Sequence, residues 1–540
     1  MKVAGQSFEE LMNAGYAFGD PAVELGAAVQ GATTYPTVRV RIPLRMVNRH
    51  GLVAGATGTG KTKTLQVLTE QLSDAGVPVF LADIKGDISG LAAPAQPDQR
   101  VAARVQQIGL ADYAPRAYPV EFLTLDRTGK GVRLRASVSS FGPILLSKVL
   151  ELNDTQQSVL ALVFKYADDQ KLPLVDLSDL RAVLNYLNGP EGDRAMAEYG
   201  GISGATVGVM IRKIVELEQQ GAAAFFGAPE FDVNDLMRTA PDGRGVVSVL
   251  ELSNMQDRPR LFSTFMMWML SSLYHALPEI GDPDKPKLVF FFDEAHLLFD
   301  DASSSFLDQV ELVARLIRSK GVGVYFVTQS PQDVPPKVLA QLGNRVQHAL
   351  RAFTPDDQKM IEATARTFPV TDQYDVSREL TSLGIGEALV TGLSTRGVPM
   401  PTVHCIARPT RSLMAQVDPV VFDGIVAASS LVPEYATDVD PQSAREMLAA
   451  RLEAAQAATQ VQVGVPPQTG EAARTPAPAD TPASRRGPGS RTPPADAGLD
   501  LEDAARLGVR VLTSSTTNTI LRGVFGILGG GVPRSTRRRR

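Results

Sequence analysis

The sequence predicts an α/β protein whose sheet is mostly parallel and covered by helices on both faces. Three observations lead to this prediction. From about residue 51, short apolar runs alternate with segments of helical periodicity. A glycine-rich loop follows one of the first apolar runs, and two adjacent acidic residues end a later one. Strands that alternate with helices favour parallel pairing, because each crossover helix returns the chain to the same end of the sheet.

The elements are assigned from apolar periodicity. Alternation predicts a strand over 37–42, and apolar runs predict further strands over 52–54, 77–82, 120–125, 245–252, 287–292, 323–328, 346–351 and 387–391. Helical spacing predicts helices over 144–152, 155–166, 177–187, 207–220, 261–274, 306–319 and 444–457. Four of these helices fall within 140–240, which indicates a helical insertion in the α/β domain.

Composition shifts predict five regions along the chain. They are an N-terminal segment (1–44), the α/β domain (45–430), a helical extension (431–462), a linker (463–497) and a Gly/Arg-rich tail (498–540). The linker is dense in Pro, Ala, Thr, Gly and Arg, and it is predicted to be disordered because it cannot bury enough apolar surface. Within the tail, 499–511 and 519–528 fit short amphipathic helices, and the chain ends in Arg537–Arg540.

Composition also restricts the class of protein. The 540 residues are enough for two or three domains. A net charge of −5, from 54 basic and 59 acidic residues, excludes a globally basic nucleic-acid binder. Contact with nucleic acid must then come from a local patch or a ring of subunits. The single cysteine, Cys405, excludes a disulfide framework and cysteine-rich zinc sites and suits a reducing compartment.

Neither a signal peptide nor a membrane span is expected. The N-terminus lacks the charged, apolar and small-residue regions of a secretory signal. No apolar run approaches the roughly 18–20 residues that a spanning helix needs. The sequence therefore predicts a cytoplasmic protein without a transmembrane segment.

The glycine-rich loop matches the pattern GxxxxGK[ST] at every fixed position. An apolar strand precedes it and helical spacing follows it, which is the context that a phosphate-binding P-loop needs. Its backbone N–H groups and the helix N-terminus would hold the phosphates of ATP. Lys61 would reach the β/γ-phosphates, and the Thr62 hydroxyl would hold Mg²⁺. The predicted nucleotide-binding residues are Gly55, Ala56, Thr57, Gly58, Thr59, Gly60, Lys61 and Thr62.

A second motif supplies carboxylates. The apolar run 287–292 ends in Asp293 and Glu294, at the strand end where α/β sheets bind ligands. Asp293 is expected to hold Mg²⁺, and Glu294 to act as the general base on the attacking water. With Ala295 and His296 the pair also reads DEAH, but the further motifs of DEAH-box helicases do not occur. His296 is therefore interpreted as a structural or coupling residue.

Two more polar residues end neighbouring strands. Gln329 follows the strand 323–328, so it is expected beside Asp293, where its amide could sense the γ-phosphate, position water or only cap a turn. Asp83 closes the strand after the P-loop helix. It could hydrogen-bond the water or Mg²⁺ shell at the nucleotide, or only cap its own loop.

Transfer of the γ-phosphoryl group needs positive charge beyond Lys61 and Mg²⁺, and an arginine finger can contribute roughly 10³–10⁵ in rate. Arg49 precedes the P-loop strand and could act within its own subunit. Arg318 lies near the end of the helix after the acidic strand and could serve a neighbouring subunit. A solvated helix face remains the alternative for each candidate. The full set is Arg49, Arg315, Arg318, Arg345 and Arg351.

Taken in order, these motifs resemble the HerA/FtsK group of P-loop ATPases, and most of all its bacterial HerA-like (YjgR-like) branch. The resemblance covers roughly 45–430. The segments that carry it are 48–51, 55–62, 83–87, 292–296, 315–321, 328–330 and 343–354, with a weaker echo at 520–530. It implies a RecA-like core with an additional strand, commonly a hexameric ring that moves double-stranded DNA through its pore. It also implies Walker-A roles for Lys61 and Thr62.

The resemblance assigns further roles. It implies Walker-B roles for Asp293 and Glu294, a sensor role for Gln329, a finger acting on the neighbouring subunit for Arg318 and a finger acting within the subunit for Arg49. HerA proper carries an N-terminal β-barrel, and the 50 residues available here are too few for one. Because of this difference, the resemblance does not extend to the ring geometry or to the docking of partners such as a nuclease.

Two main functions are open at this point. One is an oligomeric ATPase motor that acts on double-stranded DNA, gripping backbone phosphates without reading sequence. The other is an ATP-dependent assembly or coupling factor whose C-terminal tail docks a protein partner or an anionic membrane surface. A small-molecule kinase is disfavoured, because no lid or acceptor site is recognisable.

Overall fold

A computed structural model describes residues 7–127, 129–196, 199–252, 259–299 and 304–463. The predicted linker and tail, including the two amphipathic segments and the terminal arginines, lie outside the described residues. Among the described helices, none has the length and apolar character that a bilayer crossing demands.

The strands of the described part form one twelve-stranded sheet in the order β2-β1-β12-β11-β10-β3-β9-β8-β4-β7-β5-β6. They are β1 (Ala22–Gln30), β2 (Thr33–Pro43), β3 (Gly51–Ala54), β4 (Val79–Asp83), β5 (Val120–Thr124), β6 (Val132–Arg133), β7 (Val247–Glu251), β8 (Leu288–Phe292), β9 (Val322–Thr328), β10 (Asn344–His348), β11 (Glu387–Thr391) and β12 (Val403–Ala407).

The helices of the described residues alternate with these strands. They are α1 (Phe8–Tyr16), α2 (Lys61–Asp74), α3 (Gln99–Ile108), α4 (Val138–Val149), α5 (Asp154–Asp169), α6 (Leu177–Leu187), α7 (Pro190–Met196), α8 (Gly204–Gln219), α9 (Pro259–Ala276), α10 (His296–Phe299), α11 (Ser304–Ile317), α12 (Pro336–Leu339), α13 (Pro355–Ala365), α14 (Val376–Ser382), α15 (Pro419–Ala428), α16 (Val432–Tyr435) and α17 (Ala444–Val463).

The sheet is parallel in the part that carries the site and antiparallel beyond it. All neighbours from β10 to β6 pair in parallel. The neighbours from β10 to β2 pair antiparallel. The prediction of a mostly parallel, α/β sheet is confirmed, and the antiparallel edge is an addition to it.

The N-terminal residues belong to this antiparallel edge. The predicted strand 37–42 is part of β2, whose alternating Val38, Val40 and Ile42 are buried. Its partner β1 was missed, because its alanines and glycine have low strand propensity. β1 pairs with β12, so residues 22–43 extend the same sheet as the P-loop strand and do not form a β-barrel within this segment.

Both faces of the parallel part are covered, because alternate residues of each buried strand point to opposite sides. On one face the Phe290 ring lies 4.9 Å from Phe80, which in turn lies 6.3 Å from Phe265 of α9. On the other face Leu81 shares a core with Leu68 of α2. Burial of such a side chain contributes about 1.5–3 kcal/mol, so the central strands are fixed from two sides.

The predicted helical insertion is seen as α4 to α8, between β6 and β7. Within α4 the chain kinks at Gly142, which has a φ of +73°, before Pro143. The predicted helical extension corresponds to α16 and α17. α17 docks on the insertion, where the Ala444 N–H donates to the Pro173 carbonyl (2.9 Å) and the Arg445 N–H to Asp179 Oδ1 (3.1 Å).

Candidate nucleotide site

The phosphate loop, Gly55–Thr62, joins the carboxyl end of β3 to α2. Gly55 has a φ of +153° and Gly60 a φ of +117°, both in a region that L side chains rarely adopt. A Cβ on Gly55 would also meet His348 Cβ at 2.5 Å. α2 begins at Lys61, so the unpaired N–H groups of its first turn face the loop and make an anion site.

The loop is held from behind by its neighbours in the sheet. The Gly55 N–H donates to the Thr328 carbonyl (3.2 Å), and the Ala56 N–H donates to the Ala349 carbonyl (2.8 Å). Immediately before β11, the Gly386 N–H donates to the Thr59 carbonyl (2.9 Å). These bonds leave the other side of the loop free for a ligand.

His348, at the end of β10, supports the loop from below. Its Nδ1 lies 2.8 Å from the Glu387 carbonyl and its Nε2 lies 2.9 Å from Thr64 Oγ1. Burial lowers the pKa of His348 to about 4, so the ring is neutral at pH 7. With Nδ1 donating to the carbonyl, Nε2 accepts from the threonine hydroxyl. His348 was not among the predicted site residues, because a single histidine at the end of a strand is not a motif.

Lys61 is folded back onto its own loop. Its ammonium donates to the carbonyl oxygens of Gly55 (2.7 Å) and Ala56 (3.2 Å). Burial lowers the pKa of Lys61, and the nearby Glu294 carboxylate opposes this effect. A phosphate on the loop therefore offers the ammonium a stronger partner than two neutral carbonyls.

Asp293 directly follows β8, which lies two strands away from β3 in the sheet. It is 1% exposed, its Oδ1 accepts the Glu294 N–H (3.0 Å), and its Oδ2 has no hydrogen-bond partner among the described residues. Burial raises the pKa of Asp293 to about 7, although the charge of Lys85 opposes the shift. A buried, unpaired carboxylate oxygen of this kind needs a cation to stay ionised.

This donor set fits Mg²⁺, which binds oxygen ligands through one or two protein groups and keeps waters and phosphate oxygens for the rest. Asp293 and the hydroxyl of Thr62, the second residue of α2, are the residues that would hold it. Within the described part no cluster of three or more His, Cys, Asp or Glu side chains forms a metal site. The arrangement is thus suited to an ion delivered with phosphate.

Glu294 sits in a strained backbone conformation with a φ of +48°. One carboxylate oxygen, Oε1, forms an ion pair with the Lys85 ammonium, and the other, Oε2, lies 3.3 Å from His296 Nδ1. Burial raises the pKa of Glu294, but the hydrogen bond and charge of Lys85 outweigh it, so the pKa lies below its usual value. Non-glycine residues at positive φ cluster at functional sites.

Asp83 holds the loop that presents Lys85. Its Oδ1 accepts the N–H groups of Lys85 (3.2 Å) and Gly86 (2.8 Å), and its Oδ2 accepts that of Ile88 (2.9 Å). Of the two roles left open by the sequence, these bonds show the loop cap. Burial raises the pKa of Asp83 to about 6.

Two charged residues of this edge were missed. Lys85 lies inside the motif 83–87, of which only Asp83 was predicted to have a role. Glu251 ends β7 directly opposite Asp83 in the sheet register, and its Oε1 is buried without a hydrogen-bond partner among the described residues. The signal that identified Asp83 and Asp293, an acid at the end of an apolar run, also marks Glu251.

Gln329 follows β9, which lies between β3 and β8, so the structure places it at the same edge as Asp293. Its side chain is exposed. Arg351 is also on this edge, beyond the end of β10, where its Nη1 donates to the Thr381 carbonyl (3.3 Å). Within the described part of the chain, neither side chain forms a hydrogen bond or ion pair with the phosphate loop.

The other arginines lie elsewhere. Arg49 precedes β3 and Arg318 precedes β9, so both occupy the amino edge of the sheet, opposite the phosphate loop. Arg49 Nη2 lies 2.8 Å and Arg318 Nη2 4.0 Å from Asp282 Oδ1. The four residues of β3 alone span about 13 Å. The structure therefore does not bring Arg49 to the nucleotide of its own subunit, contrary to that prediction.

The last two finger candidates are also away from the phosphate loop. Arg345 is in β10 near its amino end, and its Nη1 donates to the Thr367 carbonyl (3.4 Å). Arg315 is exposed on α11. Neither contributes to the cluster around Lys61.

Three features together define a P-loop ATPase: the phosphate loop, the acidic end of a buried strand and the parallel sheet that carries both. The sequence matches the family described as "Helicase HerA-like C-terminal" over residues 30–534. The chain belongs to this family, and it is an ATP-hydrolysing enzyme. The resemblance stated from its motifs is confirmed.

Individual relatives are distant. A DNA double-strand break repair helicase HerA of Sulfurisphaera tokodaii is 22% identical over 416 residues, which are 74% of this chain and 72% of that protein. A probable helicase of Methanocaldococcus jannaschii is 23% identical over 72% of this chain and 70% of its own length. The bacterial conjugative coupling protein TrwB aligns over 77% of this chain and 94% of its own, with a TM-score of 0.48 and 16% identity.

Proposed function

We propose that this protein is an ATP-driven motor that acts on double-stranded DNA as an oligomeric ring. Its family and its relatives, which include helicases named for double-strand break repair, support a role on DNA. The observation that carries the proposal is the carboxyl edge itself. There, a folded-back Lys61, an unpaired Asp293 oxygen and a strained Glu294 surround one place for a triphosphate.

In this mechanism Lys61 leaves the carbonyls of its loop and binds the β/γ-phosphate oxygens. Asp293 and Thr62 would hold Mg²⁺, which would supply charge neutralisation at the phosphates when bound. Glu294 orients the attacking water and accepts its proton. Gln329, exposed at the same edge, contacts the γ-phosphate or the water and so reports its loss.

The positions of the arginines support a nucleotide site that is shared between two subunits. Because Arg49 and Arg318 lie on the edge opposite their own phosphate loop, they can serve only a nucleotide of another copy. In a ring, the amino edge of one subunit meets the carboxyl edge of the next. Arg318, 43% exposed in its side chain, is the finger we assign to the neighbouring nucleotide; Arg49 (18%) lies beside it.

The alternative function, coupling through the C-terminal tail, depends on residues 498–540, which lie outside the described part, and so it stays a prediction. So does the docking of a nuclease. One experiment separates motor from coupling factor: ATP hydrolysis measured with and without duplex DNA, at low and at moderate salt. The motor requires stimulation by DNA that weakens as salt rises. Unchanged hydrolysis, with binding to liposomes or proteins that requires the tail, would contradict it.

A further inference from the structure

Lys85 is the charged residue nearest to the proposed base that no motif assigned. β4 ends at Asp83, and two residues later the Lys85 ammonium pairs with Glu294 Oε1. The Lys85 side chain is 40% exposed, whereas that of Glu294 is 9% exposed. The ion pair therefore joins a buried carboxylate to a cation that still faces the open side of the site.

The backbone around Lys85 is fixed, so only its side chain can change partner. Three N–H groups of the loop, including that of Lys85 itself, donate to the Asp83 carboxylate. Gly86, in the left-handed region with a φ of +74°, turns the chain immediately after it. Four rotatable bonds remain between this anchor and the ammonium, which is a point charge with three donors.

Pairing with Lys85 is incompatible with the role of Glu294 on water. The Lys85 ammonium pairs with Oε1, whereas Oε2 is buried and has no hydrogen-bond partner among the described residues, with His296 Nδ1 3.3 Å away. A carboxylate must offer a free oxygen within hydrogen-bond reach of the proton that it accepts. Because Oε2 is buried, the water has to reach Oε1, and Lys85 has to leave that oxygen first.

A triphosphate supplies the competing partner. Lys61, Lys85, Asp293 and Glu294 are within electrostatic reach of one another, so the terminal phosphate bound by Lys61 comes next to the Lys85 ammonium as well. The γ-phosphate carries more negative charge than a single carboxylate, and a diphosphate ends too early to present it.

We propose that Lys85 is a positioning residue that exchanges Glu294 for the γ-phosphate when ATP binds and thereby releases Glu294 for the attacking water. This inference rests on the proposed role of Glu294 as the general base, and it adds that the γ-phosphate of ATP makes Glu294 available for that role. Hydrolysis removes the γ-phosphate, and Lys85 returns to Glu294. The base is then held inactive in the ADP-bound and nucleotide-free chain.

If Lys85 exchanges Glu294 for the γ-phosphate, it contributes to the preference of the protein for ATP over ADP. If the ion pair is fixed, it does not. The test is the ratio of dissociation constants for ADP and for a non-hydrolysable ATP analogue, both with Mg²⁺, measured by calorimetry on the full chain. Lys85→Met should lower the preference for the ATP analogue about tenfold, as expected for loss of one charge-assisted contact. Lys85→Arg, which keeps the charge, should keep most of it.

The double-mutant cycle gives the sharpest reading. Glu294→Gln releases Lys85 from its pair, so the preference for the ATP analogue should rise above that of wild type by several-fold. In the double variant Lys85→Met/Glu294→Gln this rise should vanish. Lys130→Met, which breaks a comparable ammonium–carboxylate pair with Asp423 elsewhere, should leave the preference unchanged.

Unchanged preference in both Lys85→Met and Glu294→Gln would overturn the exchange and leave a fixed ion pair. The proposed base is judged separately, by ATP hydrolysis of Glu294→Gln alone. If that variant hydrolyses ATP at the wild-type rate, the role of Glu294 fails whatever the nucleotide preference. If it is inactive while the preference does not move, only the exchange fails.

Discussion

The carboxyl and amino edges of the parallel strands differ in how their charges are satisfied. At the carboxyl edge, Asp293 and Glu251 each keep a buried oxygen without a hydrogen-bond partner among the described residues, and the Lys61 ammonium donates to carbonyls of its own loop. At the amino edge, Arg49 and Arg318 both lie near the half-exposed Asp282, and the Arg318 side chain is itself 43% exposed. The carboxyl edge thus gathers buried charged groups, whereas the amino edge presents a partly solvated arginine.

In the proposed ring, these edges are the two halves of one site, and they meet between neighbouring copies. Buried groups without partners cost free energy that a bound ligand recovers, so the carboxyl edge is built to be filled. Surface ion pairs contribute little to stability, so Arg318, whose side chain is 43% exposed and lies 4.0 Å from Asp282, can leave that carboxylate at low cost.

The largest expected effect is on the carboxyl edge. Lys61→Ala removes the ammonium that would move from two carbonyls to the phosphates, and we expect ATP hydrolysis to fall by about 10³ or more. Steady-state phosphate release measures it. Lys63→Ala is the matched control, because Lys63 on the same helix bonds Gln66 and the Met414 carbonyl instead. If Lys61→Ala hydrolyses ATP at the wild-type rate, the proposed nucleotide site is wrong.

The next effect tests whether the edges meet in trans. Arg318→Ala should lower hydrolysis by roughly 10³, as expected for an arginine finger. When it is mixed with Glu294→Gln subunits, some activity should return, because one interface then combines an intact base with an intact arginine. Asp282→Asn, which removes the carboxylate near Arg49 and Arg318 but keeps both arginines, should change hydrolysis by no more than about twofold. Absence of any recovery at every mixing ratio would count against a shared site.

The smallest effect concerns the pH dependence of stability that a buried acid of the carboxyl edge causes. Burial raises the pKa of Glu251 from 4.5 to about 7, and the nearby Asp83 adds to the shift. An acid whose folded pKa is raised binds more protons when folded, so stability falls as pH rises from about 4.5 to about 7. Glu251→Gln should remove this loss.

Chemical denaturation at two pH values measures this prediction. At pH 8 we expect Glu251→Gln to be more stable than wild type by on the order of 1–3 kcal/mol. Near pH 4, where the carboxyl group is protonated in both states, that advantage should disappear. An equal difference at both pH values would show that charge is not its cause.

Local sequence determined the elements and the motif residues. β11 and α6 begin and end where periodicity predicts, and the strand–loop–helix around Gly55–Thr62 follows from its pattern. These features depend on neighbours within a few residues. β1 was missed because its small residues form a strand only through pairing with its two neighbours. One neighbour, β12, lies far away in the chain, and the other, β2, carries the apolar alternation that β1 lacks.

Only the tertiary structure decided which charges meet. The sequence by itself determined that Asp83 ends a buried strand, that Glu294 follows one and that Lys61 begins the helix after the phosphate loop. These positions follow from apolar runs and glycine spacing, which are local properties. The order of strands in the sheet set Lys85 against Glu294 and put Arg49 on the far edge from its own phosphate loop. Side-chain proximity across strands arises from long-range packing, and no spacing along one chain encodes it.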